Sequence, residues 1–238
     1  KDRDETRRVQ AFGPADAHQT LCACNLLESA SVADAVARLN AQWGPVDVLC
    51  HVAGGFDMGP AVHETPDALL DGLFDLNARS LVHLARAVAP GMVARQQGRI
   101  VTVGAASAQR GLGRMGAYTL AKSALLRLTE AMSDELRESG IGVNAVLPSV
   151  LDTPENRAAM PDADPSRWVT PADVAAVMHF LASPAARAVH GAAVPVRGLG
   201  GEGRASVFRA ARPRPGHGRR GSRRRWQWRF TAIVPLAA

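Results

Sequence analysis

Short apolar runs alternate with longer amphipathic stretches across residues 20–198, and this alternation restricts the possible folds more than any other feature of the sequence. Apolar runs that are buried on both faces are typical of parallel strands, and the stretches between them are long enough for helices. Ser31 and Thr170 are predicted N-caps, the second with Pro171 in the first helical position. The predicted strands are 21–26, 46–52, 99–103, 141–147 and 192–196, and the predicted helical stretches are 31–42, 66–96, 116–138 and 171–183. Repeated strand–helix units favour an α/β fold with a parallel sheet flanked by helices.

The composition changes sharply after Gly200, which divides the chain into a domain at 1–200 and a tail at 201–238. The tail is rich in Arg, Pro and Gly and carries the positive net charge, while the remainder is mildly acidic. Such a segment buries little apolar surface, so we expect it to be disordered and dispensable for the fold. Arginines beside Trp226 and Trp228 also suggest nucleic-acid binding. The tail offers no platform for base stacking, however, and we do not expect a nucleic-acid partner.

The cysteines, the histidines and the length of the apolar runs exclude several classes of protein. Cys22, Cys24 and Cys50 are odd in number and lack zinc-like spacing, which favours small buried side chains in a reducing compartment. The seven histidines form no metal-ligand pattern, so we interpret them as structural and expect no metal. No apolar run is long enough to span a bilayer, and the charged first residues are not followed by a signal-peptide core. These features predict a cytoplasmic protein without a membrane partner.

Tyr118 and Lys122 form the strongest candidate for a catalytic pair. Tyr118 is the single tyrosine of the chain, and Lys122 follows it by four positions, so a helix places both side chains on one face. A free tyrosine has a pKa of about 10, and a general acid or base near neutrality needs a pKa lower by roughly three. An adjacent ammonium group lowers the pKa of a phenol in this way. The same spacing also arises by chance on amphipathic helices.

The wider context of this pair resembles the short-chain dehydrogenase/reductase family over residues 20–200. The segment 98–104 is similar to the strand that precedes the family's catalytic loop, and Asn77 matches its helix asparagine. The resemblance implies a Rossmann-like, doubly wound parallel sheet. It also implies that Tyr118 donates a proton, that Lys122 lowers the pKa of the phenol and holds a ribose, and that Asn77 supports a proton relay.

The resemblance extends to the residues that would bind NAD or NADP. Segment 24–26 stands where the family often touches the adenine, and segment 51–55 is similar to the family's Asn-Asn-Ala-Gly turn, with His51 in place of the first asparagine. Segment 144–148 matches the strand and proline on the nicotinamide side. The implied cofactor-binding residues are Asn25, Ala53, Gly54, Tyr118, Lys122, Pro148, Val150 and Thr153.

Two departures from the family concern the substrate and the cofactor. Ala105 stands thirteen residues before Tyr118, where the family has a serine that polarises the substrate carbonyl, and Ser107 is an alternative donor. Dihydropteridine reductases also lack that serine, and the loop at 151–164 resembles theirs. No Gly-x-x-x-Gly-x-Gly motif occurs near Lys1, so we expect the first β-α-β segment to be missing and the cofactor to bind weakly.

The sequence therefore predicts an NAD(P)-dependent oxidoreductase that transfers hydride to or from a carbonyl or quinonoid pteridine-like small molecule. The alternative is a non-catalytic remnant of the family that acts as an interaction module. A homo-oligomer through the long helices is also expected.

Overall fold

A computed structural model describes residues 20–199 and the three residues 232–234. Their five strands form one sheet in the order β4-β3-β2-β1-β5, in which β1 to β4 run parallel. The strands are β1 (Val48–His51), β2 (Gly98–Val103), β3 (Ile141–Pro148), β4 (Ala193–Val196) and β5 (Ala232–Val234). The α-helices are α1 (Ser29–Trp43), α2 (Asp67–Phe74), α3 (Ser80–Arg95), α4 (Gly116–Leu136), α5 (Pro154–Ala159) and α6 (Pro171–Ala182). This arrangement confirms the predicted α/β fold with a parallel sheet flanked by helices.

Apolar clusters on both sides of the sheet make three layers. One cluster packs Leu49 and Ile100 of the sheet against helices α1 and α3, and Met132 and Leu136 of α4 lie at its border. The other packs Val101 and alternate sheet residues against helix α6. All eight residues of β3 are buried. A strand buried on both faces reads as a continuous apolar run, which is why its sequence predicted it closely.

Two local predictions were wrong, and a third gains detail from the structure. Segment 21–26 is irregular, because a strand requires a neighbour with unpaired backbone groups and none of the described strands pairs with it. The predicted helical stretch 66–96 is helical from Asp67 to Arg95, with a π-helical turn at Asp75–Arg79 between α2 and α3. Ser31 does not cap α1: the N-cap is Glu28, and the Ser31 hydroxyl accepts a hydrogen bond from the Asn25 N–H.

Strand β5 belongs to the Arg-rich tail and pairs antiparallel with β1. Val234, Ile233 and Ala232 lie opposite Val48, Leu49 and Cys50. The remainder of the tail lies outside the described residues, so its disorder stays a prediction. Among the described residues, no helix combines the length and the apolar character that crossing a bilayer requires.

Thr170 caps helix α6 as the sequence predicted, and the cap provides a stability test. Its hydroxyl accepts from the Asp173 N–H at 3.1 Å, and the Asp173 carboxylate accepts from the Thr170 N–H at 3.0 Å. Removing such a cap costs about 1 kcal/mol. We expect Thr170→Ala to lower the free energy of unfolding in urea by that amount, and Thr170→Ser, which keeps the hydroxyl, to lower it much less. Equal losses in the two variants would contradict a role for the hydroxyl.

Candidate active site

The turn after β1 brings the predicted catalytic residues together. Strand β1 ends at His51, and the chain then passes Ala53, Gly54 and Gly55 at the carboxyl edge of the parallel sheet. A Cβ atom added to Gly54 would lie 2.7 Å from Asn77 Oδ1 and 3.0 Å from Lys122 Nζ. The backbone of Gly54 therefore lies against both side chains, and an alanine does not fit there without movement.

Asn77 lies inside the π-helical turn between α2 and α3 and is fully buried. Its amide nitrogen donates to Gly55 O at 3.1 Å and to Leu73 O at 2.9 Å, and its Oδ1 accepts from Gly55 N at 3.2 Å. Single π-helical turns occur frequently at functional sites, where the widened turn changes the direction of side chains and carbonyl groups. Asn77 thus connects the turn after β1 to the π-helical turn between α2 and α3.

Lys122 lies on α4, and its ammonium group is enclosed by the protein. Only 5% of the residue is exposed, and Nζ donates to Val103 O at the end of β2 at 2.8 Å. Burial lowers the pKa of Lys122 to about 8. The ammonium form still predominates at neutral pH, and within the described part of the chain the bond to Val103 is its one hydrogen bond to protein, so further N–H bonds can serve a ligand or a water.

Tyr118 lies one turn before Lys122 on α4, and the ring of Phe56 packs edge-on against it with 4.9 Å between the ring centroids. Burial raises the pKa of Tyr118 to about 12. The pKa is thus shifted in the direction opposite to the expected lowering by Lys122. The reason is that desolvation disfavours the phenolate, while the Lys122 ammonium donates to Val103 O. Among the described residues the Tyr118 hydroxyl has no hydrogen-bond partner.

These pKa shifts predict a pH dependence of stability. Between about pH 8 and 10.5 the unfolded chain holds a proton on Lys122 that the folded protein has lost, so stability rises with pH there. Between about pH 10 and 12 the folded protein keeps the Tyr118 proton that the unfolded chain loses, so stability falls. We expect urea titrations to show the rise lost in Lys122→Met and the fall lost in Tyr118→Phe. Unchanged profiles in both variants would contradict the two shifts.

The surface beside Tyr118 is apolar where the resembling family carries its serine. Ala105 is buried in a cluster with Ala108, Leu126 and Leu147, and Tyr118 packs against that cluster. Ser107 is half-buried in the 3-10 turn Ala106–Gln109, and its hydroxyl makes no hydrogen bond to any described residue. The structure therefore leaves the Ser107 hydroxyl available as a donor.

The remaining predicted cofactor residues occupy different settings. The Asn25 side chain is engaged locally, since it donates to Glu28 at 2.6 Å and accepts from the Leu27 N–H at 3.1 Å. Ala53 is buried in the core, so that its backbone alone can face a ligand.

Three further residues of this set lie at or just beyond the carboxyl end of β3. Pro148 ends the strand opposite Val196. Val150 accepts from Val169 N at 3.0 Å and, within the described part of the chain, its own N–H has no partner. The Thr153 hydroxyl accepts from Asn156 N at 3.3 Å and so caps α5, which leaves its proton to donate.

Sequence reasoning included Gly55 in the turn 51–55 without naming it as a site residue, and it missed the contributions of Phe56 and Ser80. A Cβ on Gly55 would lie 2.9 Å from Leu76, so this glycine also permits a close approach. The paired glycines after an apolar strand were the available signal for it. Phe56 and Ser80 contact Tyr118 and His51 across the fold, and no local spacing indicates such contacts.

Comparison with known proteins relates the chain to redox enzymes. A family model described as enoyl-(acyl carrier protein) reductase matches residues 1–198. The chain is 32% identical over 173 residues to 2-dehydro-3-deoxy-D-gluconate 5-dehydrogenase of Pseudoalteromonas atlantica, covering 68% of each chain. Alignments with the first curated relatives span from 51 to 68% of their lengths.

Two solved structures with bound cofactor share the fold. Gluconate 5-dehydrogenase of Burkholderia cenocepacia, in complex with NADP and tartrate, has a TM-score of 0.70 and 27% identity, covering 82% of this chain and 80% of that one. Carveol dehydrogenase of Mycobacterium avium, in complex with NAD, has a TM-score of 0.66 and 25% identity, covering 72% of this chain and 71% of that one.

Proposed function

The chain belongs to the short-chain dehydrogenase/reductase family of NAD(P)-dependent oxidoreductases, and from that premise we propose that it interconverts a hydroxyl and a carbonyl group of a small sugar- or alcohol-type substrate. The observation that carries the proposal is that the backbone of Gly54 lies against both Asn77 and Lys122. Lys122 lies on the helix that also bears Tyr118. The relatives are named dehydrogenases and reductases, which disfavours the alternative of a non-catalytic interaction module.

The residues at the carboxyl edge of the sheet fit a nicotinamide cofactor. Gly54 and Gly55 keep the surface free of side chains, and an N–H bond of Lys122 other than the one donated to Val103 suits a hydroxyl group of a ribose. The Val150 N–H and the Thr153 hydroxyl can donate to a carboxamide beyond β3. When bound, the nicotinamide ring supplies or accepts the hydride.

Tyr118 is the proton donor in this proposal. With a pKa of about 12 its hydroxyl is protonated at neutral pH, so it can give a proton to the substrate oxygen in the direction of reduction. Lys122 keeps a positive charge beside it, which stabilises the phenolate that remains. Asn77 fixes the turn that holds Gly54 and Gly55 in place against Lys122.

The proposed substrate is a hydroxylated carbonyl compound rather than a pteridine. Three of the curated relatives are named for sugar-type compounds, as a 2-dehydro-3-deoxy-D-gluconate 5-dehydrogenase, a sorbitol dehydrogenase and an L-xylulose reductase, and these names give no support to a quinonoid pteridine. Because Ala105 offers no hydroxyl, we assign the polarisation of the substrate oxygen to Tyr118, with the Ser107 hydroxyl as a second donor.

A substrate panel tests this function. Oxidation of NADH and NADPH is followed with keto sugar acids, ketoses, simple cyclic ketones and a quinonoid dihydropteridine. We expect turnover with a hydroxylated ketone and none with the pteridine. Turnover confined to the pteridine would overturn the substrate class, and no turnover with any ketone together with no cofactor binding would overturn the function. The same titration measures cofactor affinity, for which weak binding stays our prediction.

The expected homo-oligomer has a candidate surface between helices α3 and α4. A groove of about 500 Å³ is lined mainly by apolar side chains, with Arg86 and Glu135 among its lining residues. In a two-fold dimer each copy would cover the groove of the other, and opposite charges on the same patch can pair across the axis. We expect a dimer by sedimentation equilibrium and a monomer for Leu128→Glu. A monomeric wild-type protein at micromolar concentration would contradict this expectation.

A further inference from the structure

His51 is the buried polar residue that the proposed mechanism leaves without a role. It ends β1 and is fully buried, in register with Thr102 of β2. Neighbouring residues in register point to the same face of a parallel sheet, and the Thr102 hydroxyl contacts Thr129 of α4 at 2.9 Å. His51 therefore faces the layer of α3 and α4, which is also the layer from which Lys122 reaches Val103.

The hydrogen bonds around His51 determine its tautomer. The Ser80 hydroxyl lies 2.7 Å from Leu76 O, which can only accept, so the hydroxyl proton is donated there. His51 Nε2 lies 2.9 Å from the same hydroxyl oxygen and must therefore carry a proton and donate it. A neutral ring protonated on Nε2 has a bare lone pair on Nδ1.

This lone pair is buried, and within the described residues it has no hydrogen-bond partner. Burial and the nearby charge of Lys122 together lower the pKa of His51 to about 3, so the ring is neutral across the physiological range. Ser80 is the polar group that faces it from α3, and Lys122 is the charged group that acts on it from α4. The thiol of Cys50 packs with the cluster on the opposite side of the sheet.

We propose that His51 is a positioning residue for proton transfer, whose Nδ1 lone pair holds the Lys122 ammonium in place through one bridging water. Buried polar groups without a protein partner are typically satisfied by such water, and a bridged bond is nearly as favourable in enthalpy as a direct one. Through Nε2 and Ser80 the same ring ties β1 to Leu76, the residue before Asn77. The His51 imidazole thereby links Lys122, through Nδ1 and the water, to the backbone beside Asn77, through Nε2 and Ser80. This inference rests on the proposed function, because it assigns His51 to the Lys122 used there.

Two substitutions separate the nitrogens of the ring. In His51→Gln the side-chain amide nitrogen takes the place of Nε2 and keeps the donor to Ser80, but no acceptor remains at Nδ1. In His51→Asn the side-chain oxygen takes the place of Nδ1 and keeps the acceptor, but the bond to Ser80 is lost. A structural role through Ser80 makes Asn the more damaging change, whereas a role towards Lys122 makes Gln the more damaging one.

A measurement of the pKa of Lys122 distinguishes these two roles of His51 without an activity assay. The sequence contains two lysines, Lys1 and Lys122, so selective ¹³C labelling at Cε gives two signals whose pH titration is followed by NMR. We expect His51→Gln to lower the pKa of Lys122 from about 8 by about one, the effect of losing one hydrogen bond to a charged group, and His51→Asn to change it less. An unchanged pKa in His51→Gln overturns the proposal.

If His51→Gln does not fold, the wild-type ring gives the same decision. The ¹⁵N signal of His51 Nδ1 should be that of an unprotonated, hydrogen-bonded nitrogen, and a signal typical of a free lone pair overturns the proposal.

Kinetics supply the functional readout. At pH 8 we expect His51→Gln to lower kcat about fivefold with little change in KM, because about half of Lys122 is protonated in the wild type and about one tenth in the variant. A wild-type protein without hydride transfer would refute the proposed function, yet the lysine titration would still decide whether His51 acts on Lys122. The two failures are therefore distinguishable.

Discussion

Replacing Tyr118 by Phe is expected to reduce kcat by about 10²- to 10⁴-fold, the contribution of a positioned general acid. The phenyl ring keeps the contact with Phe56 and the packing against the Ala105 cluster, so the fold and the cofactor affinity should change little. Steady-state assays give kcat, and titration of NADH fluorescence gives the affinity. Because Tyr118 is the single tyrosine, the absorbance of ionised tyrosine that appears at high pH should be missing in the variant, which also verifies the substitution.

A matched control for this variant is Phe56→Leu, which changes the neighbouring ring and leaves the hydroxyl in place. We expect it to alter KM more than kcat, since Phe56 contacts Tyr118 from the exposed side and has no group that transfers a proton. Full turnover in Tyr118→Phe would remove the central catalytic assignment.

Gly54→Ala is expected to lower kcat/KM by about 10²-fold, as a displacement of about 1 Å at a catalytic group does. The new methyl group would lie 2.7 Å from Asn77 Oδ1 and 3.0 Å from Lys122 Nζ, and both side chains are buried and cannot swing into solvent. The control is Gly72→Ala in α2, where an added Cβ meets nothing within 4 Å and alanine is a better helix former.

Thermal unfolding is measured for both glycine variants alongside activity. We expect Gly72→Ala to keep full activity and to be at least as stable as the wild type. An active, stable Gly54→Ala protein would show that the close packing of Gly54, Asn77 and Lys122 is not required for the reaction.

The sequence predicted those parts of the fold whose signals are local. Strand β3 appeared as an apolar run because both of its faces are buried, and the start of α6 appeared because Thr170 and Pro171 form a cap within a few residues. Pairing between strands is not local. Apolar runs alone therefore could not predict that segment 21–26 is irregular or that residues 232–234 form β5. Whether such a segment becomes a strand depends on which strand edge is free to pair with it.

The candidate site likewise has parts that the sequence could predict and parts that it could not. Tyr118 and Lys122 could be predicted because a four-residue spacing on a helix fixes their relative position. Their environment could not: the raised pKa of Tyr118 results from burial against Phe56 and the Ala105 cluster, which come from other parts of the chain. The tautomer of His51 likewise depends on Ser80 and Leu76, which a linear sequence does not place beside it.

The pairing of β1 with β5 has a consequence for the order of events during synthesis. Val48 and Val234 lie far apart in the sequence, and contacts of such long sequence separation form late because closing the intervening loop costs entropy. Among the described strands β5 alone pairs with the outer edge of β1, so within this part of the chain that edge stays unpaired until residues 232–234 have left the ribosome. During that interval the edge is open to mispairing with other extended segments, and a chaperone that shields it should raise the yield of folded protein.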